Sequence, residues 1–439
     1  MRLPFFVTAL ALSALCVATS ARADRALSLD DALDLARSAN RDLQAARVRI
    51  DESKVGIEQA WAALLPNVAA RGTYTHNYKE VTLDFSAAAG LVPNLPTAPI
   101  VIQKAEQLDF VVQATVPLLV PWAYPALSAA KETHAANVAN FQVTETGLLF
   151  QTAQAFFAAA GTDELVIARQ HAIAVEQTTL SNAQARLEAG VVNKVEVMRA
   201  ELALVRSQQA LREAVDSQAA AYRSLATLVQ LREPFHVMPE AVPAVPATSL
   251  QDQAREALKL RPEFTAFERN MASASSQASS AAWRWAPSIS AFGNFRAFNY
   301  AGFSGDQYAW AVGAQLDWTL YDGGIRDAQR HLAKAQWREN DLRRSALRDT
   351  VSDDLATARS AVETKRHALD TAMQSVDLSK QTLELVRVQH DAGTATQLDL
   401  LQAQDALVTA EVSVAQARFD LALADLSLRR TAGTFPGKL

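Results

Sequence analysis

The fifteen prolines of this chain leave two stretches untouched, 126–233 and 288–435. A proline inside a helix costs about 3 kcal/mol, so these are the places where helices of unusual length are permitted. Their content, rich in Ala, Gln, Glu, Leu and Arg, favours helix as well. Leu400, Leu407, Val414, Leu421 and Leu428 form a strict seven-residue line, with Ala403, Ala410, Ala417 and Ala424 three residues on. Val197, Leu204, Leu211, Gln218 and Leu225, beside Ala200, Ser207, Ala214 and Ala221, repeat the arrangement. Large residues next to small ones let neighbouring helices approach closely in a heptad seam.

The pattern predicts long helices over about 126–188, 194–231, 326–391 and 397–429. At about 1.5 Å per residue the third would be a rod of roughly 100 Å, whereas typical helices have about 10 to 14 residues. It carries its own line through Leu355, Val362, Leu369, Val376 and Leu383. Gly147 and Gly161 weaken the first rod without breaking it, and Ala189-Gly190 and Ala392-Gly393 supply helix stops.

The two rods belong to two copies of one plan. Leu29 and Leu250, Leu43 and Phe264, Pro66 and Pro287, and Ala70 and Ala291 are each 221 residues apart. Later the spacing settles at 203, as for Ala189-Gly190 and Ala392-Gly393 or Leu204 and Leu407. The unit is too large for a short solenoid repeat, so a duplicated half-molecule fits better. We divide the chain into a leader (1–23), a first repeat (24–233), a proline-rich link (234–248), a second repeat (249–431) and a tail (432–439). Each repeat opens with shorter helices, about 28–39 and 41–64, then 249–260 and 263–284.

Four segments alternate as strands do: about 67–79, 108–119, 288–300 and 307–320. In the last, Tyr308, Trp310, Val312, Ala314, Leu316, Trp318 and Leu320 make one apolar face, and Gln307, Gln315, Asp317 and Thr319 lie on the other. Arg71, Thr73, Thr75 and Asn77, and likewise Ser290, Asn294 and Arg296, fall on the polar face of their strands. Phe292 and Phe298 depart from the pattern by sharing that inner face. Most of the tryptophans and tyrosines lie in or near these segments, as in the aromatic girdles of membrane barrels. A two-layer soluble sheet explains the alternation equally well.

Arg2, the apolar run from Phe5 to Ala18 and the small-residue site Ala21-Arg22-Ala23 read as an export signal whose removal takes away Cys16, the single cysteine. No disulfide framework or thiol chemistry is then expected, and a net charge of -5 gives no reason to expect nucleic-acid binding. Beyond the leader nothing reaches the roughly 18 apolar residues of a spanning helix, so a membrane crossing would have to be a closed sheet. The seven histidines, His76, His134, His171, His236, His331, His367 and His390, are scattered and form no HExxH motif. No enzyme, cofactor or fixed metal site is indicated.

Two strand hairpins cannot close a barrel, since bacterial barrels need at least about eight strands and open edges are not tolerated in lipid. The chain must share its barrel, with eight strands for a dimer or twelve for a trimer. A duct through membrane and periplasm is the simplest use of such strands and rods.

Several motifs carry a family resemblance across essentially the whole exported chain: Ser28-Leu29-Asp30-Asp31-Ala32, Leu65-Pro66-Asn67-Val68, Leu320-Tyr321-Asp322-Gly323-Gly324, and the segment Ala392-Gly393-Thr394-Ala395-Thr396-Gln397-Leu398-Asp399-Leu400-Leu401-Gln402-Ala403. The chain resembles the TolC-type outer membrane efflux proteins. The resemblance implies a homotrimer with a 12-stranded barrel in outer membrane lipid, a helical tunnel in the periplasm and an equatorial band around the middle, joined to a periplasmic adaptor and an inner-membrane transporter. It selects trimer over dimer. It implies passive conduction of solutes such as drugs or metal ions, or of a polypeptide in a type I secretion system; a soluble periplasmic coiled-coil scaffold is the reading from another class.

By the same resemblance an acidic ring at the entrance maps to Asp399, and its second position to Gln402. Three such carboxylates would raise one another's pKa. The gate tyrosine and arginine map to His390 and Ala395, so that lock is incomplete, and Arg186, Glu188, Lys194 and Glu196 are the residues available for a different network. The segments around Gly190 and Gly393 are where an adaptor would dock, and Arg71, Arg296 and Asp317 are expected to face the lumen of the barrel.

Overall fold

The computed structural model describes residues 25–84, 99–239, 249–300 and 305–435. The expected leader lies outside them, as do residues 240–248 of the link and 436–439 of the tail. In the first half the elements are β1 (Arg25–Leu27), α1 (Leu29–Ala39), α2 (Arg41–Ala62), β2 (Asn67–His76), β3 (Val81–Leu83), β4 (Ile100–Gln103), β5 (Glu106–Leu119), α3 (Ala123–Glu188) and α4 (Lys194–Val229). The second half holds β6 (Phe235–Val237), α5 (Leu250–Leu260), α6 (Pro262–Trp283), β7 (Ser288–Phe298), β8 (Tyr308–Asp317), α7 (Ile325–Asp391) and α8 (Gln397–Thr431).

Helices α3 and α7 have 66 and 67 residues. Each is therefore about 100 Å long. Helix α3 starts at Ala123, ahead of its last proline. Pro125 falls in the first turn, where the N–H it lacks would have had no helical partner. The helix runs unbroken through Gly147 and Gly161. Gly161 has a packing reason: a β-carbon there would lie 3.3 Å from the Phe419 ring of α8. Along the middle of α8 the small line is the more deeply buried, with Ala403, Ala410 and Ala417 covered while Leu407, Val414 and Leu421 are half-exposed; at the two ends Leu400 and Leu428 are buried as well. Small side chains let the backbones close up, which is what that line is for. No helix among the described residues is long and apolar enough to cross a membrane.

The elements form one wall at three levels. Strands β2, β5, β7 and β8 make an antiparallel sheet in that order. Below it, contacts run α2 to α3 to α6 to α7; lower still they run α4 to α3 to α8 to α7. At each level one edge comes from the first repeat and the other from the second.

In the sheet, Arg71, Val111 and Arg296 pair across one face while Ala70, Val112, Phe295 and Trp310 pair across the other. Phe292 lies opposite Gly313 in this register. A β-carbon on Gly313 would come within 2.9 Å of the Phe292 ring, so the inward phenyl lies over the space that glycine leaves. The pairing of β5 with β7 shifts between Pro117 and Leu119, next to the residue that cannot donate to the ladder. Strands β2 and β8 are exposed along their whole lengths, including Val68, Tyr74, Trp310 and Val312. This single layer corrects the two-layer soluble alternative.

Strand β8 stops at Asp317, short of the expected 320, because the next residues serve the junction with the helices. The Trp318 indole Nε1 donates to the Trp285 carbonyl at 3.1 Å. Arg326, 3% exposed, donates to the Thr319 and Arg284 carbonyls at 2.9 and 3.0 Å and to Asp322 at 2.8 Å. Its guanidinium lies 3.9 Å from the centre of the Trp285 ring. One buried cation thus ties the end of α6, the exit of β8 and the start of α7.

A belt around the middle takes in part of the link and of the tail. Phe235–Val237, placed in the link by composition, is a strand paired in parallel with Arg25–Leu27, because Val237 is buried and Phe235 packs on Tyr222. Of the tail, Phe435 is buried edge-on against Phe150 at 6.1 Å. Its approach depends on Gly433, at φ +77°, where a β-carbon would be 2.9 Å from Leu260. The core here joins α1, α3, α4, β6 and α8 around Leu149, Phe156 and Phe157. A smaller one joins α5, α6, α7 and α8 around Val351 and Leu355.

Candidate channel entrance at the helical tips

Both hairpins turn by the same device. Gly190 and Gly393 adopt φ of +71° and +77°, the left-handed conformation that ends helices at low cost for glycine. After each, the chain reaches back: Val191 N donates to the Arg186 carbonyl at 2.9 Å, and Thr394 N to the Gln389 carbonyl at 2.8 Å. The returning helices are capped by Asn193 and Thr396.

The second cap is the stronger. Asp399 N donates to Thr396 Oγ1 at 3.2 Å, while the Asp399 carboxylate accepts from Thr396 N at 2.8 Å and Thr396 Oγ1 at 2.7 Å. This is a reciprocal capping box. The Thr396 hydroxyl, helped by its amide, holds the Asp399 carboxyl below the usual carboxylate range. Within one protomer Asp399 is thus an ionised cap. The mutual rise expected of three such groups would have to work against these bonds.

His390 is buried at the foot of α7. Arg186 Nη1 of α3 reaches it at 2.8 Å from Nε2, with the guanidinium donating and the ring nitrogen accepting. This bond crosses from one hairpin to the other. Of the first-tip residues singled out in the sequence, Arg186 meets His390 rather than Glu188, Lys194 or Glu196. Lys194 and Gln402 are exposed, and Glu196 sits half-buried in the first turn of α4, its amide on Asn193.

Above this bond α3 and α8 share a seam that sequence reading missed. The Gln404 amide donates to Thr179 Oγ1 at 3.1 Å, both groups being buried. One turn higher, Glu176 is 7% exposed, and its Oε2 has no hydrogen-bond partner. Burial, and then the Asp405 carboxylate on α8, push the Glu176 carboxyl up to about 7. The signal was available: Ala172, Glu176, Thr179 and Ala183 are spaced as a heptad line, so a carboxyl stands where a seam residue belongs. A groove of about 660 Å³ opens beside the seam, lined by Thr178, Thr179, Arg186, Arg387, His390 and Gln404 among others.

In the sheet, Arg296 donates to Asp109 at 2.6 and 2.9 Å, and Arg71 lies on the same face across Val111. Asp317 accepts from Gln315 at 2.7 Å at the other end of that face. Among the described residues no three of His, Cys, Asp and Glu gather as a metal site would require.

A single exposed sheet with aromatic and aliphatic residues on one face, continued into paired rods with glycine-stopped tips, defines the wall of an outer membrane duct. The outer membrane efflux protein family matches residues 32–229 and 254–434, and the chain belongs to that family. Among curated proteins none matches it. Solved structures share the fold at low identity. VceC of Vibrio cholerae matches at a TM-score of 0.73 and 17% identity, over 92% of this chain and 96% of that one. The CmeC channel of Campylobacter jejuni gives 0.74 and 16%, over 94% and 87%. The MtrE channel of Neisseria gonorrhoeae, in its open state, gives 0.71 and 20%, over 92% and 88%. Membership makes this an outer membrane efflux channel protein, with a duct rather than an enzyme as its class.

Proposed function

We propose that three copies of this chain close into a 12-stranded barrel and a helical tunnel that passively conducts small solutes, such as drugs or metal ions, to the exterior. A periplasmic adaptor and an inner-membrane pump supply cargo and energy at the tips. The observation that carries this reading is that the wall is open at both edges at every level. Among the described residues, strands β2 and β8 have no second neighbour in the sheet. Helix α4 leaves Val195, Met198, Leu202 and Val205 exposed at heptad spacing, and α7 leaves Leu378, Leu385 and Val388 exposed. Such stripes call for a matching helix, and unpaired strand edges cannot stand in lipid. The α4 edge of one copy against the α7 edge of the next, with β2 of one copy beside β8 of the next in the sheet, satisfies both.

In this arrangement Arg186 and His390 hold the hairpins together at the entrance, with Asp399 and Gln402 around it and Lys194 and Glu196 on the facing tip. Gly190 and Gly393 mark the docking segments, and Arg71, Arg296 and Asp317 line the barrel. Deleting the gene and challenging cells with drugs and metal ions is expected to lower tolerance to at least one of them. Unchanged tolerance together with loss of an exported polypeptide would make the cargo a secreted protein. Recovery of the exported protein from the soluble periplasm, without detergent, would remove the channel reading. Asp399→Ala is expected to weaken cation block in bilayer recordings, and unchanged selectivity would exclude the carboxylate ring.

A further inference from the structure

The seam between α3 and α8 changes character along its length. Near the belt it is hydrocarbon: Phe157, Gly161 and Phe419. Towards the tip it holds Glu176, Thr179, Gln404 and Gln397, all buried, with Glu176 Oε2, Gln404 Oε1 and Gln397 Nε2 lacking partners. Buried polar atoms left unpaired cost free energy that parting the seam would return. Glu176 is the one among them whose cost depends on pH, because neutral carboxyl is far cheaper to bury than carboxylate.

We propose that Glu176 is a proton-operated latch: protonated, it lets α3 and α8 pack, and ionised, it drives the lower seam apart against Asp405 and loosens the entrance. The proposal rests on the channel reading above and specifies how its entrance is regulated.

The groups around Glu176 support a single-site response. On its own helix the residues one turn away are Ala172, Ile173, Thr179 and Leu180, none of them charged. Helix α8 presents Asp405, which acts on it directly. Helix α4 turns the half-buried Ala203, Leu204, Ser207 and Ala210 inward, with Glu201, Arg206 and Glu213 on its exposed side. The folded pKa of Glu176 lies above the ordinary 4.5. The seam is therefore at full strength below that value and weakens as pH rises towards about 7. Across this window each pH unit shifts the packed-to-parted ratio by up to about tenfold. Asp399 works in the opposite sense, but its lowered pKa means that its contribution is already complete at acid pH.

The test is conductance of the full-length assembled protein in planar bilayers from pH 4.5 to 8. Wild type is expected to open progressively with rising pH, Glu176→Gln to stay closed and flat across the window, and Asp405→Asn to blunt the response. Glu176→Gln leaves His390 in place, so a wild-type profile that persists in this variant assigns the response to another group and overturns the latch. A second readout does not need conduction: spin labels on Gln177→Cys and Gln402→Cys should separate with rising pH in the native background and not with Glu176→Gln. Equal behaviour in the two backgrounds also overturns it. Absence of conductance at every pH, even after Arg186→Ala, would count against the channel reading, and the label distances would still decide the latch.

Discussion

The two ends of the α3–α8 seam use the same helices for opposite purposes. At the belt, Phe419 is inserted over Gly161 beside Phe157, and Phe156 and Leu149 complete a dry core. At the tip the same two helices meet through Thr179–Gln404, an unpaired Glu176 and a groove, and α3 is tied to α7 by Arg186–His390. Hydrocarbon burial is non-directional and hardly depends on pH or on one bond. The tip contacts are few, polar and individually breakable. The fixed end of the wall and the end that must admit cargo are thus distinguished by chemistry rather than by secondary structure.

Breaking the fixed end should give the largest effect. Phe419→Ala removes a buried phenyl and leaves a cavity above Gly161, a change that costs about 3–5 kcal/mol in well-packed cores. Thermal unfolding of the detergent-extracted protein should show it as a clearly lowered midpoint. If the midpoint stays within a degree or two of wild type, the belt is not the anchor.

The tip should respond in function more than in stability. Arg186→Ala leaves the buried His390 ring nitrogen without its donor, a loss of about 1–3 kcal/mol confined to the foot of the hairpins. Bilayer conductance is expected to rise, with the thermal midpoint nearly unchanged, and His390→Phe should match it. Arg186→Lys should restore only part of the closure, because an ammonium on a flexible stem holds the single contact that Nη1 makes with the ring less firmly than the planar guanidinium does. If conductance is the same in all three variants and wild type, the bond does not hold the entrance.

These two ends also differ in how legible they were. Helix extent followed from proline avoidance, and both tips from glycine, because those residues act on the backbone locally. The division of strand faces followed from alternation and agrees with the register of β5 and β7 down to Arg296 beside Val111. The family resemblance implies a band around the middle, but not its residues: β1 and β6 are three residues each, come from the start of the first repeat and from the link, and pair in parallel, so no local pattern marks them. Phe435 looked like part of a tail because a single aromatic after a helix carries no periodicity. The partner of Arg186 was hidden for a related reason. Choosing His390 over the nearby Glu188 or Glu196 depends on how two hairpins lie side by side, and heptad lines fix a helix face without fixing which neighbour fills it. Glu176 was overlooked although its place on the seam line was visible, since a lone carboxylate on a long helix is normally solvated.

The smallest expected effect sharpens the comparison most. Gly161→Ala sets two terms of similar size against each other. Helix propensity favours alanine by about 1 kcal/mol in the middle of α3. The new β-carbon meets the Phe419 ring at 3.3 Å, so the ring must yield by a few tenths of an ångström, and overpacking of a tight core costs about 1–3 kcal/mol. Phe419 also packs against Phe157, one turn earlier on α3, which limits its room to shift along that helix. A slight loss of stability is therefore expected in the wild-type background. In Phe419→Ala the clash is gone and only the propensity term remains, so the same substitution should stabilise. A thermal-shift double-mutant cycle reads that change of sign. If Gly161→Ala has the same effect with and without the phenyl, the glycine is not there to admit Phe419, and the belt end of the seam owes its closeness to something other than this one missing β-carbon.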